Sequence, residues 1–309
     1  MQELDEYFAT LEVDKSPATV ASYRGSLNNF IEYFKIKNAS DIEKLENRDI
    51  QNYLNYLATK NITETSTQSD KNKFNASANT HGRNIKVFLN WLVAKKYMKL
   101  HPYSDDIKKF AVGTSVKVFF NKEERDRIIL ACKDKLWLQV TMALLFYTGM
   151  RRAEIVNLKK SDFMGDHILV HRKGNKEQEL YFPRFVGTLI RRYLAGRKDK
   201  SEYLLVGIRT HDQISEISLA NRVKEAVRLA GFSEDIIEQT GAHSIRRSFA
   251  CILFLDGAST LAVQNCLGHS SSLITERYVA PARAIMTGKV MSEQASPSWY
   301  SDDEDLDDE

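Results

Sequence analysis

The chain has 309 residues, 43% hydrophobic and 28% charged, a length that suits two domains better than one and a composition ordinary for a globular protein. No apolar run approaches the roughly 20 residues a bilayer requires, and the opening MQELDEYFATLEVDK is acidic without a charged-then-apolar leader, so the expectation is a cytoplasmic protein with no membrane association. The net charge of +3 conceals an acidic end: SDDEDLDDE holds seven acids and no base, leaving 44 bases against 34 acids in the first 300 residues, a balance of +10 that suits attraction to a polyanion such as DNA.

In chain order, Tyr23, Leu27, Phe30, Ile31 and Phe34 recur at helical spacing behind Ser16-Pro17, which supply a cap and a first-turn proline. Ile50, Tyr53, Leu54 and Leu57 form a second stripe after Asp49, and Ile85, Phe88, Leu89 and Leu92 a third. Between these two, residues 61–80 are polar and nearly free of large apolar side chains, which reads as loop with a frayed helix at most. The first hundred residues are thus expected to form a small helical bundle ending near His101-Pro102, where proline discourages helix continuation. Residues 103–118 show no sustained period and read as the linker.

The second half opens with Asn121 and Glu124 spaced as a capping box ahead of Ile128, Ile129 and Leu130, and a further helix is expected from Leu136 to Tyr147. HILVH and QELYF flank a polar KGNK turn and predict a β-hairpin. Helices are expected at 184–195, 218–230, 244–255, 259–266 and 273–278. The fold class is therefore mainly α, with a small antiparallel sheet in the second domain. Cys132, Cys251 and Cys266 are odd in number and lack metal-ligand spacing, so they read as reduced core thiols, with no metal site expected.

Four segments concentrate polar chemistry: TGMRRAEI (148–155), HRKGNKEQ (171–178), HSIRR (243–247) and LGHSSSLITERY (267–278). Attack at a phosphodiester builds negative charge on the non-bridging oxygens, and a guanidinium, always protonated and shaped as a planar fork, meets that charge best. Arg151 and Arg246 are the candidates for it. A phenol has a pKa of about 10, so Tyr278 as nucleophile needs help in losing its proton, and His243 is the candidate to give it. Lys173, at the hairpin tip, is the candidate to protonate a departing sugar oxygen. Each residue alone also has an ordinary reading: a surface ion pair for Arg151, Arg152 and Glu154, a solvated turn for KGNK, a residue capping or preceding a helix for His243 after Gly241-Ala242, a helix ending at glycine for Leu267-Gly268-His269, core packing for Tyr278. Order and spacing considered together favour the chemical one.

Taken in order over residues 119–280, TGMR, KGNK, HSIR and LGHSSSLITERY resemble the signature boxes of the tyrosine recombinases, the lambda-integrase and Xer-like superfamily. The resemblance implies a helical core-binding, DNA-binding domain over 1–110, a catalytic domain over 111–280, a subunit-docking helix over 281–300 and an acidic disordered tail over 301–309. It implies a catalytic set of Arg151, Lys173, His243, Arg246, His269 and the nucleophile Tyr278, with Glu154 in support and every position filled. Arg247 stands where many relatives carry histidine. Arg83, Lys86, Lys176 and Arg247 are the expected DNA contacts. The implied reaction is site-specific recombination through a 3′-phosphotyrosyl intermediate and a Holliday junction, without cofactor, metal or ATP. Its implied partners are double-stranded DNA with paired recombination sites, a homotetramer in the synaptic complex, and accessory directionality proteins. The alternatives are a catalytically silent DNA-binding relative, a type IB topoisomerase, which needs no matched sites, and a metal-dependent nuclease, which needs a carboxylate cluster this sequence does not offer. The acidic tail is expected to damp non-specific DNA binding by competing for the basic face.

Overall fold

The computed structural model describes residues 1–113, 118–172, 176–269 and 271–292, and the chain divides into two compact units, Met1–Val116 and Lys117–Glu309.

The first unit is all helix: α1 (Gln2–Asp14), α2 (Pro17–Phe34), the short α3 (Ala39–Glu43), α4 (Asn47–Thr59) and α5 (Gln68–Ala94). Ser16 caps α2 by accepting from the Thr19 amide, with Pro17 at the first helical position. The three apolar stripes read from sequence meet in one core, in which Leu27, Phe30, Ile50, Ile85, Phe88, Leu89 and Leu92 are fully buried. Helix α1 adds Leu4, Tyr7, Phe8 and Leu11 to that core, at a helical spacing that the sequence reading passed over.

Within residues 61–80 the loop expectation holds up to Thr67, and from Gln68 the frayed helix is a regular one. Helix α5 begins at Gln68, started by a capping box in which Thr67 Oγ1 accepts from the Asp70 amide and Asp70 Oδ2 from the Thr67 amide. Its first turns lack an apolar stripe because they bond to backbone instead. Asn75 Nδ2 donates to Ala111 O (2.8 Å), Asn79 exchanges two bonds of 2.9 Å with Phe110, and Asn72 Oδ1 accepts from the Gly113 amide (3.1 Å). Three asparagines one helical turn apart thus pair the backbone of 110–113, which has no secondary-structure partner of its own.

In the second unit, α6 (Lys122–Ala131) starts with the reciprocal Asn121–Glu124 box, both bonds 2.9 Å. Helix α7 (Leu136–Thr148) is apolar on nearly every face and runs through the core. Then come α8 (Arg152–Val156), a 3-10 turn at Lys160–Asp162, and the hairpin β1 (His167–Arg172) and β2 (Lys176–Tyr181), paired antiparallel with His167 opposite Tyr181 and Arg172 opposite Lys176. Helices α9 (Arg184–Ala195), α10 (Glu216–Leu229), α11 (Glu234–Gln239), α12 (Ala242–Leu255) and α13 (Thr260–Leu267) follow. The last, α14 (Ser272–Ser292), corrects the expectation of a helix ending at Tyr278 with a separate one after it: a single helix runs on through Pro281. Proline removes one amide donor there, and the helix carries on past it.

Candidate active site

The site is assembled where four chain segments meet in the second unit. Helix α7 ends at Gly149, whose φ of +58° turns the chain into Met150-Arg151. Arg151 then stands at the cap of α8, and Glu154 accepts from both its backbone amide (2.7 Å) and its Nη1 (2.8 Å), which fixes the guanidinium. Arg151 Nη2 reaches across to Gly268 O at 3.0 Å.

Arg246 projects from α12 and is only 2% exposed. Its Nη1 donates to Gly149 O (2.5 Å), and its Nη2 to Leu267 O (2.7 Å) and to His269 Nε2 (3.1 Å). Glu154 Oε2 lies 4.0 Å from Arg246 Nη1, so a single carboxylate serves two guanidinium groups. Burial, with the Arg151 charge beside it, pulls the Arg246 pKa down to about 10, still protonated at neutral pH. Its Nε is buried without a hydrogen-bond acceptor. Among the described residues, Glu154 is the carboxylate paired with this cationic cluster.

His269 follows Gly268, which ends α13 at a φ of +60°. Burial first, then the surrounding Arg246, Arg151 and Arg172 charges, push the His269 pKa down to about 4, so the ring is neutral at pH 7. Arginine can only donate, so His269 Nε2 accepts from Arg246, and the ring proton belongs on Nδ1, which donates to Thr275 Oγ1 at 2.9 Å.

Tyr278 lies two turns into α14, 9% exposed, with its ring flanked by the rings of His243 and His269 at centroid distances of 5.0 Å each. Its hydroxyl is 3.0 Å from His243 Nδ1 and 3.1 Å from Nε2, and its carbonyl accepts from the Cys251 thiol (3.2 Å). Cys132 and Cys251 are buried and free, their thiols pushed up to about 12 and about 11 by burial, as suits reduced core residues. An open cleft of about 820 Å³, lined by Arg151, Glu154, Arg172, Lys176 and His269 among others, borders the cluster.

Of the residues named from sequence, Arg151, Glu154, His243, Arg246, His269 and Tyr278 are brought together. Lys173 lies outside the described residues. Lys176 is exposed at the start of β2, Arg83 is exposed on α5, and Lys86 on α5 is paired with Asp105 at 2.5 Å. Arg247 is placed differently from its expectation as a DNA contact: it is 7% exposed, and its Nη1 donates to Val118 O at 2.9 Å, holding the chain at the entry to the second unit. The sequence reading missed Thr275, fully buried against the His269 ring, and Arg172. The fixed spacing of Thr275 one helical turn before Tyr278 was the available signal for the first.

Among the described residues no helix is long and apolar enough to cross a membrane, and no group of three or more His, Cys, Asp or Glu side chains is placed to hold a metal ion.

Residues 118–284 match the Phage integrase family, and residues 4–73 match the phage integrase N-terminal SAM-like domain. The tyrosine recombinase XerC of Staphylococcus saprophyticus is 29% identical over 281 residues, covering 88% of this chain and 90% of its own length. XerC of Staphylococcus aureus is 29% identical over 287 residues, covering 89% and 90%. Among solved structures, the XerH recombinase bound to palindromic difH substrate, a post-cleavage complex, shares the fold with a TM-score of 0.70 at 19% identity, covering 89% of this chain and 80% of that one. A lambda integrase tetramer bound to a Holliday junction does so with a TM-score of 0.66 at 16% identity, covering 90% and 76%. With the arginine pair, the two histidines and the tyrosine in one cluster and the family match spanning more than half of the 309 residues, this chain belongs to the phage integrase family, the tyrosine recombinases.

Proposed function

We propose that the chain carries out site-specific DNA recombination with Tyr278 as the nucleophile, acting within the same polypeptide that supplies the arginine pair. The observation that carries this reading is the Tyr278 hydroxyl held 3.0 Å from a His243 ring nitrogen beside the cluster of Arg151, Arg246 and His269. Tyr278 Oη attacks the scissile phosphorus and passes its proton to His243, while the P–O bond to the 5′ sugar oxygen breaks. That oxygen takes up a proton, the part assigned to Lys173. The products are a 3′-phosphotyrosyl link and a free 5′-hydroxyl, and attack by the 5′-hydroxyl of a partner strand reverses the step. One phosphodiester is exchanged for another, so no ATP is consumed.

The charge that develops on the non-bridging oxygens is met by Arg151 and Arg246, which the protein leaves short of counter-charge. Arg246 now donates to His269 Nε2. When phosphate draws Arg246 away, Thr275 can donate to Nδ1 instead of accepting, and the ring is free to present an Nε2–H to the phosphate. We assign 1–110 to core binding, 111–280 to catalysis, 281–300 to docking on a neighbouring subunit and 301–309 to the acidic tail. The partners are duplex DNA with two recombination sites, bridged by a homotetramer, with accessory proteins setting direction, in the cytoplasm.

The reading is tested by mixing the full chain with nicked duplexes tiling the DNA that flanks its gene and running denaturing gels. A protease-sensitive shifted band is expected on at least one tile. Binding at low salt without any such band would favour a catalytically silent DNA-binding protein, and relaxation of plasmids regardless of sequence would favour a topoisomerase.

A further inference from the structure

Three arginines from separate stretches of the second unit converge on three consecutive carbonyls at the end of α13. Arg151 takes Gly268 O (3.0 Å), Arg246 takes Leu267 O (2.7 Å), and Arg172 takes Cys266 O (3.1 Å) together with Leu267 O. The first two belong to the proposed catalytic set and the third does not. We infer that Arg172 is a positioning residue for the reaction, stapling the lysine-bearing hairpin to the end of α13 so that the hairpin and His269 hold one fixed geometry about the scissile phosphate. The inference rests on the recombinase reading of the site.

The last carbonyls of a helix have no partner within it and carry the negative end of its dipole, so a cation that donates twice is the most effective group to place there. The hairpin is shaped for the task. Ile168, Val170 and Arg172 alternate onto one face of β1, the first two buried in the core, and Gln178, opposite Val170, donates from the same face to Asn265 O at 2.9 Å. Arg172 and Gln178 together make a two-point attachment of the hairpin to residues 265–267.

The fit between Arg172 and Gly268 is close. A Cβ on Gly268 would fall 1.7 Å from Arg172 Nη1 and 2.5 Å from its Cζ, so the guanidinium lies where any other residue at 268 would put its side chain. Glycine suits the φ of +60° there, and a side chain at 268 would have to displace the Arg172 guanidinium. His269 is the next residue, and its ring is set by where that backbone goes. Arg172 also remains a half-buried cation hydrogen-bonded to carbonyls and to no described carboxylate, with its Nε buried and unpaired. It therefore adds a third guanidinium charge around His269, beside Arg246 and Arg151, with Glu154 the carboxylate facing them.

Geometry and charge separate experimentally. Arg172→Lys keeps the charge but, as a point donor, cannot hold two carbonyls in the plane of a fork; Arg172→Met keeps bulk and loses both. In the full-length protein, single-turnover formation of the Tyr278 adduct is expected to fall about 100-fold in the Met variant and about 10-fold in the Lys variant, with DNA affinity unchanged, since small misplacement of reacting groups costs about that much. Hydrogen exchange of the DNA-free protein is expected to quicken at 265–269 and 168–172 in both variants and to stay unchanged in α7. The acid limb of the cleavage profile moves to higher pH in the Met variant, because a cation near His269 is gone, and stays in place in the Lys variant. Wild-type adduct rates in Arg172→Met, or unaltered exchange at 265–269, would overturn the inference. Exchange that quickens throughout the Met variant marks global unfolding, and the Lys variant then decides by the same two readouts. Should wild-type protein form no adduct on any DNA, the recombinase reading fails, and the exchange measurement separately shows whether the staple exists.

Discussion

Tyr278 Oη sits 3.0 Å from Nδ1 and 3.1 Å from Nε2 of His243, on the helix that also carries Arg246. In the proposed mechanism this nitrogen is the acceptor for the phenolic proton, and the contact exists without DNA. Positioned proton transfer contributes about 10² to 10⁴ in rate, so His243→Ala is expected to slow single-turnover cleavage by at least about 100-fold while DNA affinity is retained. Quenched time courses against binding titrations check the split.

Arg246 donates in three directions, to Gly149 O, Leu267 O and His269 Nε2. Lysine cannot reproduce that fork. Arg246→Lys is expected to lower the cleavage rate about 100- to 1,000-fold, comparable to removing a preorganised transition-state donor, and saturating protein will not restore it. Recovery at high protein concentration would assign Arg246 to ground-state binding.

His269 titrates at about 4 in the fold against an ordinary value of 6.5, because burial and neighbouring arginines disfavour its charged form. The unfolded chain therefore takes up the proton first as pH falls. The stability this group contributes is complete above about pH 6.5 and is lost as pH falls towards 4. Urea unfolding between pH 7 and about pH 4.5 is expected to show a shallower loss in His269→Gln than in the parent. Parallel loss in both would show that His269 does not carry this part of the pH dependence.

Gly149 holds a φ of +58°, and a Cβ there would lie 2.3 Å from Phe249 Cδ1. Gly149→Ala is expected to cost about 1–3 kcal/mol of stability by chemical denaturation, and it displaces the carbonyl that receives Arg246, so adduct yield falls as well.

Much of the fold could be read from sequence where burial dictates it. The stripe of Ile85, Phe88, Leu89 and Leu92 is a helix face because all four are buried in one core. The start of α5 was not readable in the same way: Asn72, Asn75 and Asn79 give no apolar period, and their role appears only when residues 110–113 lie against them. The continuity of α14 through Pro281 was masked by a local rule that usually ends helices. In the site, short motifs announced the arginines, histidines and tyrosine in order. Arg172 announced nothing, because its partner carbonyl at Leu267 is 95 residues away and presents no side chain to notice.

The central claim, that Tyr278 is the covalent nucleophile, is tested most directly by digesting trapped protein–DNA adduct with trypsin and nuclease and sequencing the nucleotide-bearing peptide by mass spectrometry. Arg277 and Arg283 bound a short peptide that begins at Tyr278. The account predicts a 3′-nucleotide on Tyr278 in that peptide and no adduct from Tyr278→Phe. A nucleotide on any other residue, or an adduct that survives Tyr278→Phe, would contradict it.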